Sequence, residues 1–165
     1  MVKAYAIDCE MVGVKGGKSE LVEIAVVNEE GKIVLNTLVK PKEQIIGPRT
    51  WVHGITRKAI QRFGQDPMTV IQKAWNIING SILIGHDLNN DLKALGWIDY
   101  PKELLRDTSI FQDLRFENVS QRPSLKKLAH HWLKKKIQDK RHSATEDARA
   151  CMELYVMFKD KWEAS

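Results

Sequence analysis

Two acidic residues interrupt an apolar run near the start of the chain. In the segment YAIDCEMVG, Asp8 and Glu10 stand among residues typical of a buried strand. Residues two apart in a strand share a face, so both carboxylates point one way while Ile7, Cys9 and Met11 point into the core. The two acids are then about 6–7 Å apart, which suits a cation held between or beside them. For this pattern alone, a pair of exposed acids at a strand end is the alternative.

Two further carboxylates are predicted on the inner faces of helices. In GHDLNNDLKALG, Asp91 shares the apolar stripe of the leucines three residues before it and four residues after it. In SATEDARACMELYVMF, Ser143 and Glu146 form a capping box, which explains Glu146 and starts a helix. Asp147 then lies on the apolar face of that helix. An acid in such a stripe costs free energy unless it is paired or binds a metal.

The donor set indicates which metal and which reaction. Four carboxylates, Asp8, Glu10, Asp91 and Asp147, are hard oxygen ligands that suit Mg²⁺ or Mn²⁺ better than Zn²⁺. A site with two such ions is typical of phosphodiester hydrolysis. His142 precedes the cap of the Asp147 helix, where it can take the proton of an attacking water. A surface loop histidine is the alternative for His142.

The elements that must position these residues alternate along the chain. The pattern predicts three strands, then helices and short strands in turn, and therefore an α/β fold with a mixed sheet. The predicted elements are a strand over 3–9, a hairpin of LVEIAVVN and KIVLNTLVK, an irregular connection over 41–48, a helix over 67–79, a strand at SILIG, a helix ended by Gly96, a strand at LLRDTSIF, a helix SLKKLAHHWL capped by Ser124, and a last helix from about 144 to 158. We interpret Asp87 as a helix N-cap, and His130 and His131 as surface or core-edge residues.

The composition of the chain limits its size class, its compartment and the partners that its charge suits. The 165 residues are enough for one domain with a core of its own, and no apolar run approaches the length of a membrane span. Cys9 and Cys151 lie in no metal-type spacing, which predicts an intracellular protein without disulfides and leaves nucleus, nucleolus and cytoplasm open. The net charge of +5 suits a polyanionic partner, or serves only solubility.

Three segments together resemble the motifs of the DEDDh exonuclease superfamily, which includes DnaQ-like enzymes and RNase T. They are DCEMVG from Asp8, GHDL with Asp91, and His142 followed by EDA at 146–148. HGIT at 53–56, DTS at 107–109 and SLKKLA at 124–129 also fit, so the resemblance covers nearly the whole chain. DCEMVG is similar to the branch that contains the interferon-stimulated exonuclease and the yeast RNA exonucleases. The resemblance implies a ribonuclease-H-like fold with helices flanking the sheet, in a single exonuclease domain over residues 1–165.

By position, the resemblance implies a role for each matching residue. It makes the four acids ligands of two Mg²⁺ or Mn²⁺ ions and His142 the general base. It also implies that Met11 packs against the terminal nucleotide and that Arg49 reaches its ribose or phosphate; the alternatives are a core methionine and a solvated arginine. The basic residues at 134–136 and 140–141 either attract the nucleic-acid backbone or form a solvated charge run.

The implied activity is stepwise 3′→5′ hydrolysis of single-stranded RNA by a monomer, with release of nucleoside 5′-monophosphates. A DNA exonuclease of the same fold is the nearest alternative, because only the family branch favours RNA. A nucleic-acid-binding module without activity is the alternative from another class. It is disfavoured because all five chemical positions are filled.

Overall fold

The computed structural model describes residues 2–117, 119 and 121–164. Within these residues, six strands and six α-helices follow one another. They are β1 (Ala4–Val14), β2 (Lys18–Asn28), β3 (Ile33–Leu38), β4 (Ile45–Gly47), α1 (Thr50–His53), α2 (Arg57–Phe63), α3 (Pro67–Ile78), β5 (Ile82–Gly85), α4 (Leu88–Leu95), β6 (Leu105–Asp107), α5 (Leu125–Leu128) and α6 (Ala144–Glu163). None of the helices in this part of the chain is long and apolar enough to cross a membrane.

The strands form one mixed sheet, which confirms the predicted α/β arrangement. Their order is β3-β2-β1-β5-β6, and β4 pairs with the far end of β1. β1 runs antiparallel to β2 and β4 and parallel to β5, which is in turn parallel to β6. β1 therefore lies at the centre of the sheet, and its residues are positioned by strands on both sides.

Both faces of β1 are covered, which explains its apolar sequence. Ala4 and Ala6 pack on one face in a core cluster with α6, while Ile7 and Cys9 pack on the other face with α3 and α4. The strand extends to Val14, five residues beyond the predicted end. Its two acids thus lie within a buried strand, and the interpretation of an exposed strand-end pair is wrong.

The start of α4 is held by a residue from another strand. The Asp107 carboxylate, at the end of β6, accepts hydrogen bonds from the amides of Asp87 at 2.9 Å and Leu88 at 3.0 Å. Asp87 occupies the N-cap position, as predicted, but it adopts a left-handed conformation, and its carboxylate accepts from the side chain of Asn90 at 3.0 Å and caps no backbone amide. The prediction was right about the position and wrong about the residue that supplies the cap.

Two helical segments near the C-terminus differ from their predicted extents. Ser124 caps α5 as predicted, but α5 ends after four residues and continues as a π-helical turn over Ala129–Leu133. α6 begins after the predicted Ser143 cap and runs to Glu163, five residues beyond the predicted end, because Trp162 is still buried in the core. α1, α2 and β4 were not predicted, since such short elements carry too few residues for a periodic pattern.

Replacing Asp107 by alanine is expected to lower the free energy of unfolding by about 1–3 kcal/mol, because the amides it caps lose a charged acceptor. Urea denaturation measures this change. Asp87→Asn is the matched control, with an expected change within about 0.5 kcal/mol. Equal losses in the two variants would show that Asp107 does not provide the cap.

Candidate active site

The two acids of β1 lie at the middle of the sheet. They continue the row of Ala4 and Ala6 on the α6 face, since residues two apart share a face. Glu10 is only 8% exposed, and Asp8 is partly buried. A β-bulge follows Glu10, where the register of β1 against β2 shifts. The carboxylates are therefore fixed by the central strand and sit away from bulk water.

Asp91 is brought to β1 by α4. It is 5% exposed, and its Oδ1 accepts a hydrogen bond from the backbone amide of Cys9 at 3.0 Å. Cys9 is the residue between the two acids of β1, so this bond holds the third predicted carboxylate beside the first two. The helical periodicity of the sequence had predicted this inward position for Asp91.

Asp147 enters the site from the first turn of α6 and is 2% exposed. Its Oδ2 accepts a hydrogen bond from Nε2 of Gln138 at 2.8 Å and lies 3.7 Å from Nδ1 of His142. Donor atoms of Glu10, His142 and Asp147 all lie within 4.8 Å of one another. Two of the predicted acids, Glu10 and Asp147, thus meet the predicted base within ligand distance. Asp8 and Asp91 are outside this group, although the charge of Asp91 is near enough to raise the pKa of Asp8.

Burial raises the pKa values of all four acids, and repulsion by other acids of the group adds to this effect at Asp8 and Glu10. Burial first, and then the charges of Asp91, Asp147 and Glu10, raise the pKa of Asp8 well above its usual range. Burial and then Asp147 raise the pKa of Glu10 to about 8. Burial raises the pKa of Asp91 to about 7 and that of Asp147 to about 6, the latter against an opposing hydrogen bond from Gln138. The raised pKa values mean that the ionised carboxylates are not neutralised by positive charge from the protein.

The residues present fit a divalent cation. Oδ1 of Asp147 is buried and finds no hydrogen-bond partner among the described residues. A buried carboxylate oxygen without a partner is costly, and a cation supplies the missing contact. Oxygen donors at this spacing, with one histidine beside them, form a group that can hold Mg²⁺ or Mn²⁺.

Of the two predicted substrate-binding residues, Met11 adjoins this group along β1, and Arg49 lies at the start of α1. Met11 follows Glu10 in β1 and is half-buried, and it packs against the core on the α4 side. Arg49 precedes α1 in a left-handed conformation, with φ of 51°, and its Nη2 donates to Oγ of Ser19 at 3.3 Å. Their roles toward a nucleotide stay predictions.

The basic residues over 134–141 were predicted either to attract a nucleic-acid backbone or to form a solvated charge run. Two of them make different contacts. Lys135 forms an ion pair with Glu153 of α6 at 2.6 Å, as a structural surface charge would. Arg141 packs its side chain over Gly54, where an added Cβ would lie 2.8 Å from Cδ of the arginine. Arg141, which precedes His142 in the same loop, is therefore held against the end of α1.

Sequence reasoning missed two polar residues of this site. Gln138 orients Asp147 from a left-handed backbone position with φ of 56°. Glu23 of β2 lies directly opposite Glu10 and adds to the charges that raise its pKa. The hairpin register could have revealed Glu23, whereas Gln138 lies in a loop where no periodic pattern assigns a direction.

Comparison with known proteins places the chain among exonucleases. A family model named RNase_T and described as exonuclease matches residues 5–155. RNA exonuclease 4 of Mus musculus is 42% identical over 167 residues, which cover 100% of this chain and 38% of the mouse protein. The chain thus spans about two fifths of the length of that relative.

Solved structures of Pan2 have the same fold. The Pan2 catalytic unit of Neurospora crassa superposes with a TM-score of 0.82 at 26% identity, covering 98% of this chain and 28% of that one. A Saccharomyces cerevisiae Pan2 module in complex with A7 RNA gives a TM-score of 0.81 at 25% identity, covering 96% and 29%. These matches confirm the predicted ribonuclease-H-like exonuclease fold.

The stability of the metal-free protein is expected to fall as the pH rises. The folded-state pKa values of the four acids lie above the ordinary carboxyl value of about 4, and that of Glu10 is raised to about 8. Between these pH values the folded chain binds more protons than the unfolded chain, so the free energy of unfolding decreases with pH. Thermal melts in EDTA at pH 5, 6.5 and 8 measure the trend.

Adding Mg²⁺ or Mn²⁺ at pH 8 should raise the melting temperature by several degrees, since each kcal/mol is worth about 2–4 °C in a chain of this size. Asp147→Asn should show a weaker pH dependence and a smaller response to the ions. Melts that depend neither on pH nor on ions would show that the acids do not repel one another in the folded state.

Proposed function

The chain belongs to the RNase_T family of exonucleases, and we propose that it is a metal-dependent 3′→5′ exoribonuclease that shortens single-stranded RNA and releases nucleoside 5′-monophosphates. The observation that carries the proposal is the meeting of buried acids from β1 and α6 with a half-exposed histidine, beside a buried acid of α4 that is bonded to β1. RNA is favoured as substrate because the mouse relative is named an RNA exonuclease and a similar Pan2 module was solved with A7 RNA.

Asp8, Glu10, Asp91 and Asp147 would hold two Mg²⁺ or Mn²⁺ ions. When bound, the ions supply positive charge that activates the attacking water and stabilises the leaving 3′ oxygen. The chain's own residues keep these ligands in place: the amide of Cys9 holds Asp91, and Gln138 holds Asp147. This fixed arrangement means that little reorganisation is needed during the reaction.

His142 has the position of a general base. Its side chain is 42% exposed, whereas that of the neighbouring Asp147 is 3% exposed, so the imidazole can meet both water and substrate. Its backbone amide donates to the carbonyl of Val52 at 2.7 Å, which ties the loop to α1. In the proposed step the neutral imidazole takes a proton from water, the water oxygen bonds to phosphorus, and the bond from phosphorus to the 3′ oxygen breaks. The 3′ oxygen takes a proton from solvent water, and the imidazolium returns its proton to solvent.

We also propose that the protein is intracellular and monomeric. Cys9 and Cys151 are both buried free thiols, which supports a reducing environment.

Incubation of 5′-labelled single-stranded RNA with the protein and Mg²⁺ or Mn²⁺ tests the activity. We expect a ladder that shortens from the 3′ end and the release of nucleoside 5′-monophosphates, because the site acts on a terminal nucleotide. The matched DNA strand should be hydrolysed more slowly. Degradation of circular RNA, or equal rates on a blunt duplex and a single strand, would contradict an end-specific enzyme, and a faster rate on DNA would favour the DNA exonuclease.

The role of His142 is tested by His142→Ala, with His130→Ala, an exposed position on the π-helical turn, as the matched control. Loss of a general base lowers kcat by about 10²–10⁴-fold, while the affinity for Mn²⁺ measured by calorimetry should change little. The control should keep both values. Because the ring of His142 lies within ligand distance of the acids, loss of Mn²⁺ binding in His142→Ala would identify it as a metal ligand instead.

A further inference from the structure

Trp51 is the most exposed large apolar side chain among the described residues, with 74% of its surface open to water. Tryptophan carries a large apolar area that normally becomes buried in a core or an interface. Within the described part of the chain, no ring or hydrogen-bond partner holds its indole. Single apolar residues are common on protein surfaces. Exposure alone therefore does not indicate a function, and the surroundings of Trp51 have to be considered.

Trp51 lies on α1, which is joined to the loop of His142. The amide of His142 donates to the carbonyl of Val52, the residue after Trp51, at 2.7 Å, and Arg141 packs over Gly54 at the end of α1. Adding the bond lengths along this path places the Cα atoms of Trp51 and His142 at most about 11 Å apart. Trp51 therefore lies on the helix that borders the His142 loop, at the rim of the proposed active site.

The backbone under Trp51 is held firmly without help from its side chain. Gly54 ends α1 in a left-handed conformation and its amide donates to the carbonyl of Thr50 at 2.8 Å. His53 is buried, and its Nδ1 accepts the amide of Ile55 at 3.1 Å. The fold thus presents the indole from a fixed support, which limits the entropy lost when a ligand binds.

Two arginines lie near Trp51, one along the chain and one at the end of its helix. Arg49 lies two residues before it, and the guanidinium of Arg141 lies against Gly54 three residues after it. Proteins that bind single-stranded nucleic acids combine cations for the backbone with aromatic rings on which bases stack. Because both features adjoin the His142 loop, the charge favours a nucleic-acid strand over an apolar protein surface as the occupant.

We infer that Trp51 is a stacking platform for an unpaired nucleobase of the strand whose 3′ end is hydrolysed. This subsite rests on the proposed exonuclease function. It would position the strand without taking part in the chemical step, so it acts on substrate affinity. Stacking on one aromatic side chain corresponds to about a 5- to 150-fold effect on affinity.

Tryptophan fluorescence tests the contact apart from hydrolysis. In the His142→Ala background with Mg²⁺, a hexa-adenylate RNA should quench part of the emission, because stacking brings a base against the indole. Trp51→Phe removes this fluorophore, and the other four tryptophans are buried or partly buried, so the quench should disappear. A hexamer of abasic ribose phosphate has the same charge and should not quench. A quench that persists in Trp51→Phe, or one that the abasic hexamer reproduces, would overturn the inference.

Hydrolysis kinetics on the same RNA test the consequence for the substrate. Trp51→Ala should raise KM by about 5- to 150-fold with kcat nearly unchanged, and Trp51→Phe, which keeps an aromatic ring, should restore KM. Phe63→Ala is the matched control, since Phe63 is 60% exposed on α2, outside α1 and the His142 loop. An unchanged KM in Trp51→Ala would overturn the stacking role, whereas a wild-type protein that hydrolyses no RNA but is still quenched at Trp51 would overturn the proposed function alone.

Discussion

The burial of several carboxylates at one place is the constraint on which the rest of the site depends. Each of these acids prefers water or a positive partner, and together they repel one another. The fold nevertheless keeps Glu10, Asp91 and Asp147 less than a tenth exposed. Such an arrangement is stable at neutral pH only if protons or cations neutralise it, and the buried Oδ1 of Asp147, which has no hydrogen-bond partner among the described residues, fits such a cation.

The scaffold meets this constraint by fixing each acid from the backbone. The central strand β1 carries two acids and supplies the Cys9 amide that holds a third. α4 is capped by Asp107 from β6, so the direction in which Asp91 points follows from the sheet. α6 begins at the Ser143 cap, which fixes Asp147 in the first turn. These acids are thus arranged before any ion or substrate binds, so that a bound ion would supply charge where the protein supplies geometry.

Sequence reasoning succeeded where a residue contradicts a regular pattern. Asp91 and Asp147 stand in apolar stripes of helices, and the period of those helices places them inward without knowledge of the fold. It failed where position depends on tertiary contacts: Gln138 lies in a loop, and Asp107 caps a helix twenty residues before it in the chain. The exposed Trp51 lies on a helix of four residues, which is too short to show a period.

The central claim is that cations replace protons on the clustered acids, and proton release during ion binding measures this directly. Calorimetric titration of the protein with Mn²⁺ at pH 6.5, in buffers with different ionisation enthalpies, gives the number of protons released. Because Glu10 and Asp91 have pKa values of about 8 and about 7, the account predicts that Mn²⁺ binds and releases protons, and that fewer are released at pH 9. Binding without proton release at pH 6.5, or no binding, would contradict it.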